Sequence, residues 1–279
     1  MKSLNSFIRT GCLVLSLLLV GFAVWNFAAP TILSTSASGS RKIPIYCVDT
    51  DKPQVALSFD AAWGNEDTQT LLDILAKYNV KATFFMTGGW VSSYPEDVKA
   101  IAAAGHDLGN HSQNHKQMSQ LSAKECGEEI QSVHDQVKSL TGTDMILFRP
   151  PYGDYNNTLV ETANGLGYHV IQWSIDSLDW KDYGADNIVS RILDSKELDN
   201  GAIILMHNGA KYTKDALERV ITGLQEKGYE LVPISQLIYK DNYTTDNTGK
   251  QIPKNEGGQT SAPVSTSLHR GAAVAIQTM

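Results

Sequence analysis

A parallel α/β sheet, open or closed into a barrel, is the fold this sequence predicts, and three observations carry it. Short runs of β-branched and aromatic residues alternate with longer runs of helical periodicity. Glycines follow several of the helical runs, at Gly105, Gly142, Gly167 and Gly228, where a left-handed C-cap is expected. The residues with chemistry to offer stand directly after the strand-like runs, and in parallel α/β folds function gathers at the carboxyl ends of strands.

In chain order, strands are expected at Val55–Phe59, Ala82–Thr87, Asp107–Gly109, Met145–Phe148, His169–Ser174, Ala202–Met206 and Glu230–Pro233, each a short apolar or β-branched run. Between them the apolar residues recur every three or four positions. Thr68–Tyr78 places Leu71, Leu72, Leu75 and Tyr78 on one face, Pro95–Ala104 places Val98, Ile101 and Ala102, and Ala123–Leu140 places Ile130, Val133, Val137 and Leu140. Thr158–Leu166, Ala185–Leu193 and Thr213–Lys227 follow the same rule. Seven strands, each followed by a helix, imply a parallel sheet.

Composition adds exclusions. The chain has 279 residues, 19% of them charged, with a net charge of −7. An acidic, unpatterned surface argues against nucleic acid, which attracts basic stripes. Residues 1–10 carry Lys2 and Arg9 and no acid, and residues 11–29 are nineteen positions without a charge. That length suits a membrane-spanning helix, with the basic end held in the cytoplasm. A cleaved signal peptide, whose apolar region is usually about 7–15 residues, is the alternative. Either way the remainder is expected outside the cytoplasm. Residues 30–44 read as a linker, 45–240 as the folded domain, and 241–279, rich in Thr, Ser, Gly and Asn, as a disordered tail. No obligate protein partner is predicted. Of three cysteines, Cys12 lies in the apolar span, and the spacing of Cys47 and Cys126 leaves their pairing open.

Five motifs end the strands. Asp60 closes Val55–Phe59, where a carboxylate either starts the next turn or points into a site. His111 and His115 are four apart, which on a helical turn sets both imidazoles on one face and suits zinc. In Arg149-Pro150-Pro151-Tyr152-Gly153 two prolines stiffen a turn that presents backbone N–H groups from Tyr152 onward. An arginine so placed pairs with a carboxylate, and Asp60 is the candidate. Asp176 and Asp179-Trp180 either orient a histidine and wall a sugar groove or cap a helix. His207 ends Ala202–Met206, and alone it reads as well as a packed core residue.

Together these motifs, His-x-x-x-His, Arg-Pro-Pro-Tyr-Gly, Asp-x-x-Asp-Trp and Leu-x-His in this order, resemble carbohydrate esterase family 4, the NodB-like polysaccharide deacetylases, over about Val55 to Ile238. The resemblance implies an irregular (β/α)7 barrel, here preceded by the N-terminal transmembrane or signal helix, that removes acetyl groups from amino sugars of chitin or peptidoglycan. Cell-wall polysaccharide is then the partner, and the membrane a second one through residues 11–29. The N-terminal span, Lys42–Tyr46 and Ser58-Phe59-Asp60-Ala61-Ala62-Trp63-Gly64 look like a sporulation-associated branch.

Carried over by residue, the resemblance makes Asp60 the base, His111 and His115 two ligands of a divalent metal (zinc by ligand type), and Arg149 the holder of the base. Tyr152 gives an oxyanion-site N–H, Asp179 tunes the acid His207, and Trp180 and Leu205 wall the pocket with Asp176 beside them. Ala61 departs from the pattern, for the family usually carries there an aspartate that is the third metal ligand. Asn65, Glu66 and Asp67 are the nearest substitutes. Two outcomes follow: a metal-assisted deacetylase, or a carbohydrate-binding or morphogenetic protein that kept the groove and lost efficient catalysis.

Overall fold

Strand β2 (Gln54–Ala61) runs through the middle of the sheet with seven of its eight residues buried, as a parallel strand covered on both faces must be. The computed structural model describes residues 41–254. Among them Cys47–Val48 (β1) precede β2, and Thr83–Met86 (β3), Asp107–Asn110 (β4), Leu147–Phe148 (β5), His169–Val170 (β6), Ile175–Asp176 (β7), Ile203–His207 (β8) and Glu230–Leu231 (β9) follow it. The intervening helices are Thr68–Lys77 (α1), Gly88–Ser93 (α2), Pro95–Ala103 (α3), Ala123–Thr141 (α4), Asn157–Gly165 (α5), Ala185–Leu193 (α6), Thr213–Glu226 (α7) and Ile234–Leu237 (α8).

The sheet runs β6–β5–β4–β3–β2–β8–β7, every neighbouring pair parallel, and β9 pairs with the start of β2. Its two ends, β6 and β7, are consecutive in the chain. Ile45 closes against β6, donating from its N–H to the Val170 carbonyl at 2.9 Å and accepting from the Gln172 N–H at 2.7 Å. The sheet therefore curls into a half-barrel, where the sequence predicts a (β/α)7 barrel.

Alternation along β2 divides two apolar layers. Val55, Leu57, Phe59 and Ala61 join the layer beneath the helices, whereas Ala56 joins Phe85, Leu147, Ile171 and Ile203 inside the curl. Ser58 and Asp60 share that inner face. The helices bury the stripes that the periodicity marks: Leu71, Leu72 and Leu75 on α1, Ile130, Val133 and Val137 on α4, and Leu217, Val220, Ile221 and Leu224 on α7. A capping box at Ser122 and Glu125 starts α4. The four expected cap glycines all take positive φ, between 76° and 90°.

The structure corrects the sequence at several points. Residues 241–254 are not a disordered tail, for Tyr243–Thr245 (β10) and Lys250–Pro253 (β11) form an antiparallel pair that adds β1 in parallel. These strands lack apolar alternation. They are held instead by the buried Gln251 amide, which accepts from Tyr239 N–H at 2.9 Å and donates to its carbonyl at 2.6 Å. Strand β7 and helices α2 and α8 were too short to show a period. Cys47 and Cys126 are free thiols, so the pairing left open is not made. The apolar segment 11–29 lies outside the described residues, among which no helix is long and apolar enough to cross a membrane.

His106 shows how burial ties this fold to pH. Its Nδ1 accepts from the Ala82 N–H at 3.1 Å, and burial, helped by the charge of Lys81, pushes its pKa down to about 4. In the unfolded chain it titrates near ~6.5, so between these values the unfolded chain binds the additional proton. Its contribution to stability is whole above about pH 6.5 and is lost as the pH falls towards 4. His106→Asn, which keeps an acceptor, should lose less stability between pH 7 and pH 4.5 than the parent. Urea midpoints at the two pH values test this, and equal losses would refute it.

Candidate active site

Asp60 is aimed and ionised by one arginine. Arg149 Nη1 donates to Asp60 Oδ1 at 2.7 Å, and Nη2 donates to Ser58 Oγ at 2.9 Å and to the Gln172 carbonyl at 3.2 Å. The guanidinium is wholly buried and lies over the Phe85 ring, 4.1 Å from its centroid. Burial by itself would raise the Asp60 carboxyl, but the charge of Arg149, joined by the His111 and His207 imidazoles, outweighs it and holds the pKa below the usual carboxylate range. Arg149 is set there by the ladder, its N–H donating to the Asn110 carbonyl at 2.9 Å as β5 ends.

The same ladder sets His111, whose N–H donates to the Met86 carbonyl at 3.0 Å as β4 ends. Its Nδ1–H donates to the Arg149 carbonyl at 2.7 Å, which leaves Nε2 facing Asp60 Oδ2 at 3.5 Å. Burial pushes its pKa down to about 4, so the ring is neutral at pH 7. Residues 111–115 are not the helical turn that the spacing suggests. Ser112 and His115 have φ of 65° and 52°, in a loop pinned by Ser112 Oγ, which accepts from the His115 N–H at 3.1 Å, and by Glu129, which accepts two bonds from Asn114. The loop still brings the imidazoles together, with ring centroids 4.9 Å apart.

Two imidazoles do not complete the expected zinc centre. Catalytic zinc takes three protein ligands and an open position, and among the described residues no three His, Cys, Asp or Glu side chains are placed to hold a metal ion. Ala61 is wholly buried in the apolar layer under the helices. Of the substitutes named from sequence, Asn65 donates to Asp97, Glu66 accepts from the Asn65 N–H, and Asp67 Oδ1 accepts from the Gly209 N–H while its Oδ2 is buried without a partner; none joins the imidazoles in a metal-type group.

Opposite this group stands His207. Register pairs it with Asp60 across β2 and β8, so the two strand ends are level. Its Nδ1–H donates to Asp179 Oδ1 at 2.7 Å, and Asp179 Oδ2 accepts from the His207 N–H at 2.7 Å and Thr213 Oγ at 2.6 Å. Nδ1 being committed, Nε2 is the nitrogen left for the pocket. Burial would lower the His207 pKa, but the hydrogen bond and charge of Asp179, with Asp60 and Asp176, leave it above the ordinary histidine value.

Asp60, His111, His115, Tyr152, Asp176, Trp180, Leu205 and His207 line one cleft of about 400 Å³. The two remaining predicted residues, Arg149 and Asp179, stand behind it as the partners of Asp60 and His207. Trp63 and Trp173 also line the cleft and were missed. Trp63 had a readable signal, a large aromatic three places after a strand-end carboxylate. Trp173 sits within an apolar run and had none. Ser112, His115, Tyr152, Leu178 and Asp182, all in loops of the motifs, hold positive φ, a backbone cost that clusters at functional sites.

Known proteins resemble the chain. A family model described as polysaccharide deacetylase matches residues 48–171. Peptidoglycan-N-acetylmuramic acid deacetylase PdaA of Bacillus subtilis is 32% identical over 203 residues, covering 70% of this chain and 75% of PdaA. Uncharacterized protein YlxY of the same organism is 36% identical over 195 residues; the match covers 70% of this chain and 60% of YlxY. Among solved structures, BA3943 of Bacillus anthracis, described as a CE4 family pseudoenzyme, aligns with a TM-score of 0.67 at 33% identity, over 76% of this chain and 73% of that one. A BA3943 mutant described as having restored enzymatic activity also aligns at 0.67, with 35% identity.

Two outcomes test this geometry. Arg149→Met leaves the Asp60 carboxylate buried and unpaired and should cost about 3–5 kcal/mol in urea unfolding, with much of the loss recovered in the Asp60→Asn, Arg149→Met double variant. A loss below about 1 kcal/mol would contradict a buried ion pair. Ala61→Asp puts a carboxylate in an apolar layer, so it should melt below the parent without metal and gain more from added zinc than the parent does. Equal zinc gains in both chains would show that Ala61 does not mark the missing ligand.

Proposed function

We infer that this chain, which belongs to the polysaccharide deacetylase family, hydrolyses N-acetyl groups from the amino sugars of a cell-wall polysaccharide, peptidoglycan first among them. One observation carries the reading. Two groups of opposite acid–base character, each held by its own ion pair, end adjacent strands and face one cleft.

In this reading Asp60, kept ionised by Arg149, takes a proton from the water that attacks the acetamide carbonyl. The backbone N–H of Tyr152, in the stiff turn after Arg149, serves the oxyanion. His207, whose protonated form Asp179 favours, gives its Nε2 proton to the departing nitrogen, so acetate and a free amine leave. Trp180 and Leu205 wall the sugar, and Asp176 stands at the cleft for a sugar hydroxyl. The residues present do not form a three-ligand metal site, so no step is assigned to a metal.

Ala61 favours a second reading, a glycan-binding protein with little or no turnover, and the likeness to a pseudoenzyme supports it. The uncharged residues 11–29 after Lys2 and Arg9 support export, anchored or released. A role in sporulation rests on the resemblance of the N-terminal segments.

Acetate release from N-acetylated peptidoglycan decides between the two. Asp60→Asn and His207→Ala should each lower the rate by roughly a hundredfold or more while circular dichroism shows the fold retained. Near-parental release from either variant would remove the mechanism. Glycan binding by the parent with no acetate release would establish the second reading.

A further inference from the structure

Trp63 has no part in the acid–base scheme above, yet it is the aromatic side chain laid directly on His207. The two rings stack at 5.3 Å between centroids, with 25° between planes. Trp63 is not core packing. It is 43% exposed and belongs to neither apolar cluster.

The loop that carries it is fastened to the loop that carries His207. Asp67 Oδ1 accepts from the Gly209 N–H at 2.8 Å, Thr68 Oγ donates to the Asn208 side-chain oxygen at 2.9 Å, and the Asn208 amide donates to the Gly64 carbonyl at 3.4 Å. Asn208, between His207 and Gly209, is wholly buried. Gly209 has φ of 87°, and a Cβ there would lie 2.5 Å from the Trp63 carbonyl and 3.2 Å from its ring. The close approach of the two loops therefore depends on a glycine at that position.

We propose that Trp63 is a positioning residue for His207, its indole face holding the imidazolium in the plane that Asp179 sets and keeping Nε2 turned to the cleft. An indole face attracts a cation stacked on it, so the same contact favours the charged ring. The other groups that act on His207 are Asp179 in the turn after β7, Asp176 on β7, Asp60 on β2 and, from the loop after β4, His115. The three carboxylates favour the cation and His115 opposes it. The assignment rests on the reading of His207 as the acid.

Trp63→Leu removes the ring and Trp63→Phe keeps a smaller one. The His207 titration is followed by NMR in the full chain with ring-labelled histidine, the signal being identified by its loss in His207→Gln. Acetate release from N-acetylated peptidoglycan is measured across pH. Trp63→Leu should lower the His207 pKa by about half a unit, move the alkaline limb of kcat down by the same amount, and leave KM within about twofold. Trp63→Phe should restore most of both shifts. An unchanged His207 titration in Trp63→Leu overturns the proposal, and a loss confined to KM makes Trp63 a sugar platform only. If the parent releases no acetate, the deacetylase reading fails by itself and the NMR titration still decides the role of Trp63.

Discussion

A guanidinium enclosed within a curled sheet is the constraint on which this site depends. Arg149 has no exposed surface, and removing an arginine from water is costly unless its charge and donors are met. The two terminal nitrogens are met by Asp60, Ser58 and the Gln172 carbonyl, with the Phe85 and Trp173 rings beside the guanidinium, while Nε is buried without a hydrogen-bond partner. Such a pair is weak evidence for stability, since apolar residues of like volume often serve as well. Its evident effect is electrostatic: it keeps a buried carboxylate ionised where burial alone would protonate it.

The His207 side is built on the same plan with the charges exchanged. Here a carboxylate, Asp179, is the buried holder, fixed by Thr213 and by two backbone N–H groups, and the titrating ring of His207 is the group presented. Because β2 and β8 are neighbours in register, the two presented groups come level without any loop having to be long. The loops that follow the strands hold left-handed residues instead, at Ser112, His115, Tyr152 and Leu178. A rigid sheet thus absorbs the backbone cost that orients them.

Ala61 bears on both halves. The Ala61 methyl, at the last residue of β2, is buried in the apolar layer under the helices. The two ion pairs are intact, and among the described residues no third metal-type side chain joins His111 and His115.

Much was legible from sequence because strand ends and helix stripes are local patterns. The run Val55–Phe59 followed by Asp60, the stripe Ile130, Val133 and Val137, and the cap glycines each carry their structural meaning in neighbouring residues. The Arg149–Asp60 pair could be named because a stiff Pro150-Pro151 turn leaves an arginine few places to go. Illegible were features whose partners are distant in the chain. Strands β10 and β11 depend on the Gln251 amide meeting Tyr239, and the His111–His115 loop depends on Glu129 of α4. Sequence by itself determined the strand and helix order and a set of polar and aromatic residues that follow strand ends, which the structure gathers at one cleft. Only the tertiary structure decided that His111 and His115 meet without a third ligand and that Trp63 covers His207, because both follow from how separate loops pack over one sheet.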